Sequence, residues 1–593
     1  MKFPYGICDF NKIITKGYFY CDRTDRIRTL EETGDSLLFL RPRRFGKSLL
    51  LSMLANYYDV ALKDRFEKVF GNLLIGKNPT EPHNKYFILK WDFSCIDPMG
   101  SADDMKKRLY NHINTSIKGF KLYYRDYLLP KIEINKDDAL DSISSLIASV
   151  RMTEYPIYLL IDEYDNFANE VMMRSKQDIS VYETLVYGDG LLKTLFKTVK
   201  ASASDSSFDR TFITGVSPVV MSDITSGYNI AKNIYLDAKF NDLCGITQQE
   251  IRQAIEKITD KSEIKETEAE NALDMMRIYY NGYTFSNRAN GNIYNPTLAI
   301  YFLEKFNELS EYPDDMLDAN LAADDAKLRY VSNLIEGNQL IFDLITDRNN
   351  IVIPKLENRF GISEMLEAEN EDFTFIASFL YYFGILTMRG KTEFGELRLD
   401  IPNLVIKRLY VERIRKILLP KPRERSDGML AAKMLYRGEI APICEFMETK
   451  FFKVFSNRDY RWANELTVKT AFLTLLYNDI LYIMDSEKEV LRKYTDLTMI
   501  IRPDMRKFKI FDILLEFKFV KLADVSLTGE QAKNLSREQL EKLPEMLDRM
   551  KEAKQRLTLY GQDLTQKYEN LRLRRFAVVS LGFERLWAQE VTT

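Results

Sequence analysis

Gly46, Lys47 and Ser48 have the types and the order needed to bind a phosphate group. They match the end of a phosphate-binding loop, whose consensus is a glycine, four further residues, and then glycine, lysine and serine or threonine. In such a loop Lys47 would reach the terminal phosphates of a nucleotide, and the Ser48 hydroxyl would bind Mg²⁺. The first consensus glycine is replaced by Arg41, and Arg44 adds positive charge beside the loop. The alternative is a turn between a strand and a helix with a surface cluster of arginines.

Two acids, Asp162 and Glu163, follow the apolar run at 157–161. An acid at the carboxyl end of a parallel strand lies at the ligand-binding edge of the sheet. Asp162 would hold Mg²⁺ through water, and Glu163 would orient the attacking water. The alternative is a buried strand with polar residues at its exit. The order of the two motifs along the chain favours the nucleotide-binding interpretation of both.

A second candidate site lies near the C-terminus, where 493–520 has the pattern of a β-hairpin. This hairpin would place Asp496 and Glu516 on adjacent strands, with Lys518 on the same face as Glu516. Converging acids are costly unless a cation neutralises them. Asp496, Glu516 and the carbonyl of Phe517 would hold Mg²⁺ or Mn²⁺ for phosphodiester cleavage, while Lys518 would orient water or stabilise developing charge. The alternative is a solvated strand face, on which such residues are common.

The elements around the first site follow from the apolar pattern. Residues 36–41 are predicted to form a buried strand and residues 47–58 a helix. Further strands at 86–94, 155–162 and 211–220 alternate with helices, which predicts a parallel, doubly wound sheet.

The middle of the chain is predicted to be mainly helical. Residues 246–310 have a helical pattern, and Thr247 with Glu250 forms a capping box. Residues 371–419 show a helix, a hairpin and a helix, which is the order of a winged-helix module; a packing adaptor without nucleic-acid contact is the alternative. The basic segment 413–428, with its prolines, is predicted to be an exposed linker.

Composition narrows the chemistry that the chain could carry out. At roughly 100 to 200 residues per domain, 593 residues predict three or four domains. A formal net charge of −3 does not indicate nucleic-acid binding, which would need local basic patches or metal ions. With two histidines and no C-x-x-C pair, a bound metal is expected to be a hard ion held by carboxylates. No signal sequence or run of 18 apolar residues occurs, so we expect a cytoplasmic protein with no membrane partner.

Several segments together resemble one protein family: RPRRFGKSLLLSML (41–54), LLIDEYDN (159–166), FITGVSPV (212–219), YYNGYTF (279–285) and YNP (294–296). They look like the bacterial AAA-ATPase-like proteins that carry a C-terminal PD-(D/E)XK nuclease-like domain. In that family the RPRRFGKS form without the first glycine is usual. The resemblance covers most of the chain and is densest in the first 300 residues.

The resemblance implies an α/β fold with four parts. An N-terminal P-loop NTPase domain of the AAA type (1–245) would be followed by a helical lid (246–310). A helical middle with a winged helix (311–428) and a PD-(D/E)XK nuclease-like α/β domain (429–593) would complete the chain.

The resemblance also implies roles for individual residues. Lys47, Ser48, Asp162 and Glu163 would handle ATP and Mg²⁺, and Thr214 would sense the γ-phosphate. Glu465 matches the acid that nucleases of this superfamily often supply from their first helix. Gln555 and Tyr560 resemble the glutamine and tyrosine of RecB-like members, although their spacing is one residue longer.

The function expected from the sequence is that of an ATP-binding, ATP-hydrolysing protein with a Mg²⁺- or Mn²⁺-dependent nuclease domain, whose expected partner is DNA. P-loop ATPases often complete their site from a neighbouring subunit, so a homo-oligomer is also expected. One alternative is a regulatory or signalling ATPase whose degenerate nuclease fold binds nucleic acid or protein. Another is a module that reads nucleic-acid sequence through the winged helix.

Overall fold

A computed structural model describes most of the chain, and its described residues form two compact units. The first unit takes Met1–Ser310 and Ile351–Pro402. The second takes the described residues between 311 and 346 together with Asn403–Thr593. The described residues are 1–97, 101–128, 131–166, 191–203, 207–218, 221, 228–260, 264–318, 328–329, 331, 337–346, 351–357, 373–453, 464–485, 489–490, 493–494, 496–568 and 570–592.

Helices and strands alternate along much of the chain. The helices are α1 (Phe10–Thr15), α2 (Arg26–Thr33), α3 (Lys47–Tyr58), α4 (Phe66–Phe70), α5 (Ala102–Tyr123), α6 (Ala139–Val150), α7 (Leu191–Ala203), α8 (Gln248–Thr259), α9 (Glu266–Tyr280), α10 (Pro296–Leu309), α11 (Gly337–Thr346), α12 (Phe373–Tyr382), α13 (Leu404–Leu418), α14 (Pro422–Tyr436), α15 (Ala441–Phe446), α16 (Glu465–Leu476), α17 (Gly529–Lys533), α18 (Arg537–Glu541) and α19 (Pro544–Lys567). The strands are β1 (Ser36–Leu40), β2 (Phe87–Asp92), β3 (Ile157–Asp162), β4 (Phe208–Gly215), β5 (Lys232–Asn233), β6 (Ile246–Thr247), β7 (Ile293–Tyr294), β8 (Ile351–Ile353), β9 (Thr387–Lys391), β10 (Leu397–Asp400), β11 (Tyr482–Asp485), β12 (Glu489–Val490), β13 (Lys493–Tyr494), β14 (Leu497–Ile501), β15 (Asp512–Val520), β16 (Leu573–Leu581) and β17 (Arg585–Glu590).

A sheet of five parallel strands forms the centre of the first unit, in the order β2-β3-β4-β1-β5. β1 and β3 are almost completely buried, as is usual for parallel strands that are covered on both faces. The carboxyl ends of β1, β3 and β4 therefore lie side by side at one edge of the sheet. The predicted parallel sheet is confirmed.

Three helices, α8, α9 and α10, follow this sheet in the first unit. The predicted capping box at the start of α8 is confirmed: the Thr247 hydroxyl accepts a hydrogen bond from the backbone N–H of Glu250, whose carboxylate accepts one from the backbone N–H of Thr247. β6 and β7 pair antiparallel beside these helices.

A small antiparallel sheet, in the order β8-β10-β9, belongs to the same unit. The predicted hairpin corresponds to β9 and β10, and the predicted helix before it corresponds to α12. The helix after the hairpin, α13, belongs to the second unit instead. The segment 371–419 is thus not one compact module, which differs from the expectation of a winged helix.

The second unit is built on a mixed sheet in the order β11-β14-β15-β16-β17. β14 pairs antiparallel with both β11 and β15, β15 pairs parallel with β16, and β17 pairs antiparallel with β16. A parallel pair needs a long crossover connection, and α19 lies within it. Leu557 and Leu564 of α19 share a buried core with Leu514 and Val579 of the sheet.

The basic segment 413–428 is helical apart from the short connection at 419–421, so the prediction of an exposed linker is wrong for most of it. It spans the end of α13 and the beginning of α14, which starts at Pro422. Arg415 is largely buried, and its guanidinium donates hydrogen bonds to the carbonyl oxygens of Thr474 and Tyr477.

The four domains expected at 1–245, 246–310, 311–428 and 429–593 stay a prediction, and the structure shows a coarser division into two units. In the first unit, the backbone N–H of Thr284 donates to the Thr387 hydroxyl and thereby ties residues near 284 to β9. Within the described residues, no helix is both long and apolar enough to cross a membrane.

Candidate functional site

The phosphate-loop motif connects β1 to α3 at the carboxyl edge of the parallel sheet. Gly46 caps α3 with φ of 90°, a conformation that glycine adopts without steric cost. The first N–H groups of a helix have no partner within it, so they are available to an anion. Arg44 also has a positive φ, 67°, and its carbonyl accepts a hydrogen bond of 3.0 Å from the Thr297 hydroxyl.

Arg41, which replaces the first consensus glycine, is a buried structural residue. Its guanidinium donates hydrogen bonds of 2.8 Å to the carbonyl of Tyr235 and 2.7 Å to that of Phe240. It also lies 4.5 Å from the ring centre of Phe39 and 4.1 Å from that of Phe285. Burial lowers the pKa of Arg41 to about 10, which leaves it charged at neutral pH. Arg41 fixes the end of β1, and the alternative of a surface arginine at this position is wrong.

Lys47 lies inside the loop. Its Nζ donates hydrogen bonds to the carbonyl oxygens of Arg41 (2.9 Å) and Pro42 (3.1 Å). Burial lowers the pKa of Lys47, while the nearby charges of Glu163 and Asp162 oppose that shift. A phosphate oxygen could replace either carbonyl as the acceptor.

Asp162, the acid predicted at the end of β3, is hydrogen-bonded to residues of α3 and β4. The Ser48 hydroxyl donates a hydrogen bond of 2.6 Å to one carboxylate oxygen of Asp162, and the Thr214 hydroxyl donates one of 2.6 Å to the other. A hydroxyl and a carboxylate in contact are the hard oxygen donors that Mg²⁺ prefers. These residues therefore fit a magnesium ion held by Ser48 and Asp162.

Glu163 follows Asp162 with a left-handed backbone conformation, φ 48°. Burial raises the pKa of Glu163, whereas Lys47 and Arg43 counteract this shift. The side chain is half-buried at the edge where the phosphate loop ends.

The sequence reasoning missed Asp165, which connects the end of β3 with the end of β4. Its carboxylate accepts hydrogen bonds from the backbone N–H groups of Val216 (3.1 Å) and Ser217 (2.7 Å). A side chain at Gly215 would come within 2.6 Å of Asp165 and 2.5 Å of Tyr164. The third acidic residue of the run LLIDEYDN was the available signal.

Aromatic residues of the segment YYNGYTF support the phosphate loop from within the first unit. The ring of Phe45 meets Tyr283 and Phe285 edge-on, with centroid distances of 4.9 and 5.3 Å. A side chain at Gly384 would come within 2.7 Å of Pro42. Tyr283 and Phe285 thus help to hold the loop in shape.

A small apolar cavity of about 90 Å³ borders the phosphate loop at Phe45 and Gly46. Its other walls come from the N-terminal segment, from α3 and from the residues around β6. They include Pro4, Ile13, Phe19, Tyr20, Cys21, Leu50, Met53, Leu243, Cys244, Ile246 and Pro296.

The predicted acids of the second site lie on neighbouring strands of the second unit. Leu497 is opposite Leu515, which places Asp496 opposite Glu516. One carboxylate oxygen of Asp496 accepts a hydrogen bond of 2.7 Å from the backbone N–H of Phe517. This is the juxtaposition that the hairpin pattern predicted.

Lys518 connects the acids of this cluster. Its Nζ donates hydrogen bonds to Glu516 (3.1 Å), to Glu465 (3.3 Å) and to the carbonyl of Phe517 (2.8 Å). Burial, reinforced by the charge of Asp496, raises the pKa of Glu516 to about 7. Burial also raises the pKa of Glu465, and that of Lys518 is raised because the surrounding carboxylates outweigh its own burial.

Gln555 and Tyr560, which were predicted to act together, lie in different environments on α19. Gln555 is exposed, whereas Tyr560 is buried in the core between the helix and the sheet. Arg556 contacts the acidic cluster instead, because its guanidinium donates a hydrogen bond of 3.1 Å to Glu516 and lies 3.3 Å from Glu552. Arg556 was not predicted from the sequence. The extra residue between Gln555 and Tyr560 was the available sign that a different face of α19 lies against the acidic cluster.

The cluster could hold a cation with few protein ligands. The second carboxylate oxygen of Glu516 is buried and has no hydrogen-bond partner among the described residues. Among all the residues that the structure describes, no group of three or more aspartates, glutamates, histidines or cysteines is arranged to hold a metal. A divalent ion here would depend on Asp496, Glu516, the carbonyl of Phe517 and water, a donor set of hard oxygens.

Residues 4–225 match the model of a protein family described as a predicted AAA-ATPase. The N-terminal region is therefore AAA-ATPase-like, with a P-loop NTPase α/β fold. The match ends before the second unit begins. An uncharacterized protein in the vnfD 5′ region of Azotobacter chroococcum mcd 1 is 24% identical over 551 residues, which cover 90% of this chain and 92% of that protein.

Three solved structures show a weak likeness to the chain. The Aeropyrum pernix ORC1 protein in complex with DNA is 9% identical, with coverage of 66% of this chain and 93% of that one and a TM-score of 0.26. Cdc6p from Pyrobaculum aerophilum is 12% identical, with coverage of 68% and 99% and a TM-score of 0.25. The Aeropyrum pernix ORC2 protein in ADPNP–ADP complexes is 13% identical, with coverage of 67% and 93% and a TM-score of 0.31. Scores this low carry no weight for fold or function.

Proposed function

We propose that the first unit binds and hydrolyses ATP and that the second unit is a PD-(D/E)XK-type nuclease that uses Mg²⁺ or Mn²⁺, with DNA as its expected substrate. The hydrogen-bonded group of Ser48, Asp162 and Thr214 supports the ATPase. The placement of Asp496 beside Glu516 supports the nuclease and is the observation on which the proposal mainly rests.

In the ATPase, the loop residues would bind and orient the phosphates. The N–H groups at the start of α3 would donate to phosphate oxygens, and Lys47 would exchange its carbonyl partners for them. Bound Mg²⁺, held by Ser48 and Asp162, would neutralise phosphate charge. Glu163 would orient the attacking water, and Thr214 would respond to the γ-phosphate through Asp162.

The apolar cavity beside Phe45 and Gly46 is the proposed place of the adenine ring. It adjoins the phosphate loop, and its walls are mostly aliphatic and aromatic. A flat, largely apolar base suits such a lining, because ligand sites combine apolar walls with a few polar groups. A homo-oligomer remains the expected assembly, and sedimentation velocity with an ATP analogue would test it.

In the nuclease, Asp496 and Glu516 would bind the cation, which polarises the scissile phosphate and lowers the pKa of a bound water. Lys518 is held between Glu465 and Glu516, where its ammonium could orient that water and stabilise developing negative charge. Glu516 and Lys518 lie on β15, Asp496 directly precedes the adjacent strand β14, and Glu465 begins α16. This arrangement of three acids and a lysine supports the proposal.

A regulatory ATPase with a degenerate nuclease fold is the second candidate. It is favoured by the two cations, Lys518 and Arg556, that already contact Glu516. It is also favoured because, among the described residues, no group of three or more potential ligands is arranged to hold a metal. Calorimetry with Mn²⁺ separates the candidates. Absence of Mn²⁺ uptake in a protein that still binds ATP would favour the regulatory role.

ATP binding is tested by titrating a fluorescent ATP analogue into wild type and the Lys47→Ala variant. We expect a loss of affinity of about a hundredfold, because Lys47 would donate charge-assisted hydrogen bonds to phosphate. Lys68→Ala, at an exposed lysine, is the control and should bind normally. Equal affinity in all three proteins would refute the assignment of the loop.

Cleavage is tested with labelled single- and double-stranded DNA and RNA, with Mg²⁺ or Mn²⁺ and with or without ATP. Asp496→Asn should lower the rate by about a thousandfold, because a neutral amide binds a divalent cation poorly. The exposed Asp548→Asn on α19 is the matched control. Cleavage that survives in Asp496→Asn would show that the site lies elsewhere.

A further inference from the structure

The first unit contains a cavity that belongs neither to the phosphate loop nor to the acidic cluster. Its volume is about 630 Å³, within the usual range for ligand sites. The walls come from the loop after β5, from the loop before β7, and from the sheet of β8, β9 and β10. The cavity is lined by Leu236, Asp237, Ala238, Lys239, Ser286, Asn287, Arg288, Lys355, Leu356, Met388, Lys391 and Leu397.

Positive charge dominates the rim of this basic cavity. Lys239, Arg288, Lys355 and Lys391 come from four separate segments, while Asp237 is the one acid of the lining. In the described part of the chain, none of the four cations forms a salt bridge with a carboxylate. Like charges that converge without acidic partners repel one another, and an anionic ligand would relieve that repulsion.

The floor of the basic cavity is apolar. Leu356, Met388 and Leu397 are nearly fully buried beneath it. Ser286 and Asn287 add hydroxyl and amide groups that can donate and accept hydrogen bonds. An occupant should therefore combine a flat apolar part, polar edges and several negative charges.

The hairpin that forms one wall also carries an exposed aromatic residue at its tip. Lys391 and Leu397 face each other across β9 and β10, and both line the cavity. The tip between them carries Phe394, whose side chain is 82% exposed. An exposed ring on the hairpin that supplies Lys391 to the cavity is a surface on which an unstacked base can bind.

We propose that the basic cavity binds a short stretch of single-stranded nucleic acid. Phosphates would contact Arg288, Lys355 and Lys391, and one base would lie on the apolar floor. A neighbouring base would stack on Phe394. A duplex keeps its bases stacked inside and would not present one to the floor. The inference concerns the first unit and does not depend on the chemistry of the acidic cluster.

The test measures anisotropy of a fluorescein-labelled oligothymidylate in EDTA, which prevents cleavage, over a series of NaCl concentrations. The full-length protein is compared with the triple variant Arg288→Ala, Lys355→Ala and Lys391→Ala. We expect affinity to fall by about tenfold or more, and the slope of log K against log salt to become shallower by about two, since each single-strand phosphate contact contributes about 0.7. Lys239 is left in place because its Nζ donates to the Thr33 hydroxyl.

Matched controls separate this effect from a general loss of charge. A triple alanine variant at the exposed Lys63, Lys68 and Lys131 removes the same charge and should bind as wild type does. Phe394→Ala should weaken binding without changing the salt slope, because stacking releases no counterions.

Several results would overturn the proposal. The wild-type protein could fail to bind the oligonucleotide, or both triple variants could lose the same amount of affinity for it. A glutamate-rich peptide that binds as tightly as the oligonucleotide would also contradict the proposal. Competition by free nucleotides that persists in the Lys47→Ala background would assign the cavity to a small ligand instead. Failure of the nuclease assay would not affect this result, because binding is measured without metal.

Discussion

At the scale of single residues, the arginine that replaces a consensus glycine shows how the phosphate loop is stabilised. Arg41 donates to the carbonyls of Tyr235 and Phe240, which are almost 200 positions away in sequence. No pattern close to Arg41 could have predicted these partners. Sequence alone suggested positive charge beside a phosphate, whereas the structure shows a buried support for the loop.

Restoring the consensus glycine should harm the protein. Arg41→Gly would leave the buried carbonyl oxygens of Tyr235 and Phe240 without donors and would open a cavity. We expect a loss of unfolding free energy on the order of 3 kcal/mol and weaker ATP binding. Thermal unfolding measures the effect, and Arg43→Gly at an exposed position of the same loop is the control. A more stable Arg41→Gly protein would contradict the structural role.

The pKa of Glu516 predicts how metal binding depends on pH. Since burial raises this pKa to about 7, a proton must leave the carboxyl before a cation can bind below that pH. Calorimetry should show Mn²⁺ affinity rising about tenfold per pH unit up to about pH 7 and then levelling off. Glu516→Gln should remove both the affinity and its pH dependence. Mn²⁺ affinity that is flat between pH 5 and pH 8 would contradict the assignment.

The same group affects the stability of the metal-free protein. Its pKa is about 7 in the folded state against 4.5 ordinarily, so folding takes up a proton between these values. The contribution of Glu516 to the free energy of unfolding is therefore fully present below pH 4.5 and is lost as the pH rises through 7.

At the scale of elements, many strands and helices could be predicted from local sequence patterns, whereas the pairing of strands distant in sequence could not. The hairpin of β14 and β15 was predictable, because two apolar runs flank a segment that contains Pro503 and Asp504. The observed pairing of the two strands places Asp496 opposite Glu516. α14 was missed because Pro422 suggested a linker, although proline is well tolerated in the first turn of a helix. β8 pairs with β10, more than 40 residues later, and no local signal indicated it.

The capping box of α8 can be tested by a single substitution. Thr247→Ala removes the hydroxyl that accepts a hydrogen bond from the backbone N–H of Glu250. We expect the free energy of unfolding to fall by about 1 kcal/mol. Chemical denaturation measures the change, and Thr259→Ala at the other end of α8 should cost less. Equal effects of both substitutions would mean that the cap contributes little.

At the scale of the whole molecule, the chain has two compact units, and we propose a different chemistry for each. The family match covers residues 4–225 only, while the similarity to the Azotobacter protein extends over 90% of the chain. Composition could not reveal this organisation, because the net charge of −3 describes the whole chain and gives no boundary between units. The acidic cluster was predictable from the hairpin, but the position of Arg556 was not, since it depends on the register of α19 against the sheet.

Divalent ions are proposed to bind at two sites of this chain, the phosphate loop and the acidic cluster. The most direct test is a crystal structure of the full-length protein with a non-hydrolysable ATP analogue and Mn²⁺, with the metal located by its anomalous signal. We expect one peak beside Ser48 and Asp162 and a second between Asp496 and Glu516. A nucleotide bound at the loop with no manganese at the second position would contradict the proposed nuclease.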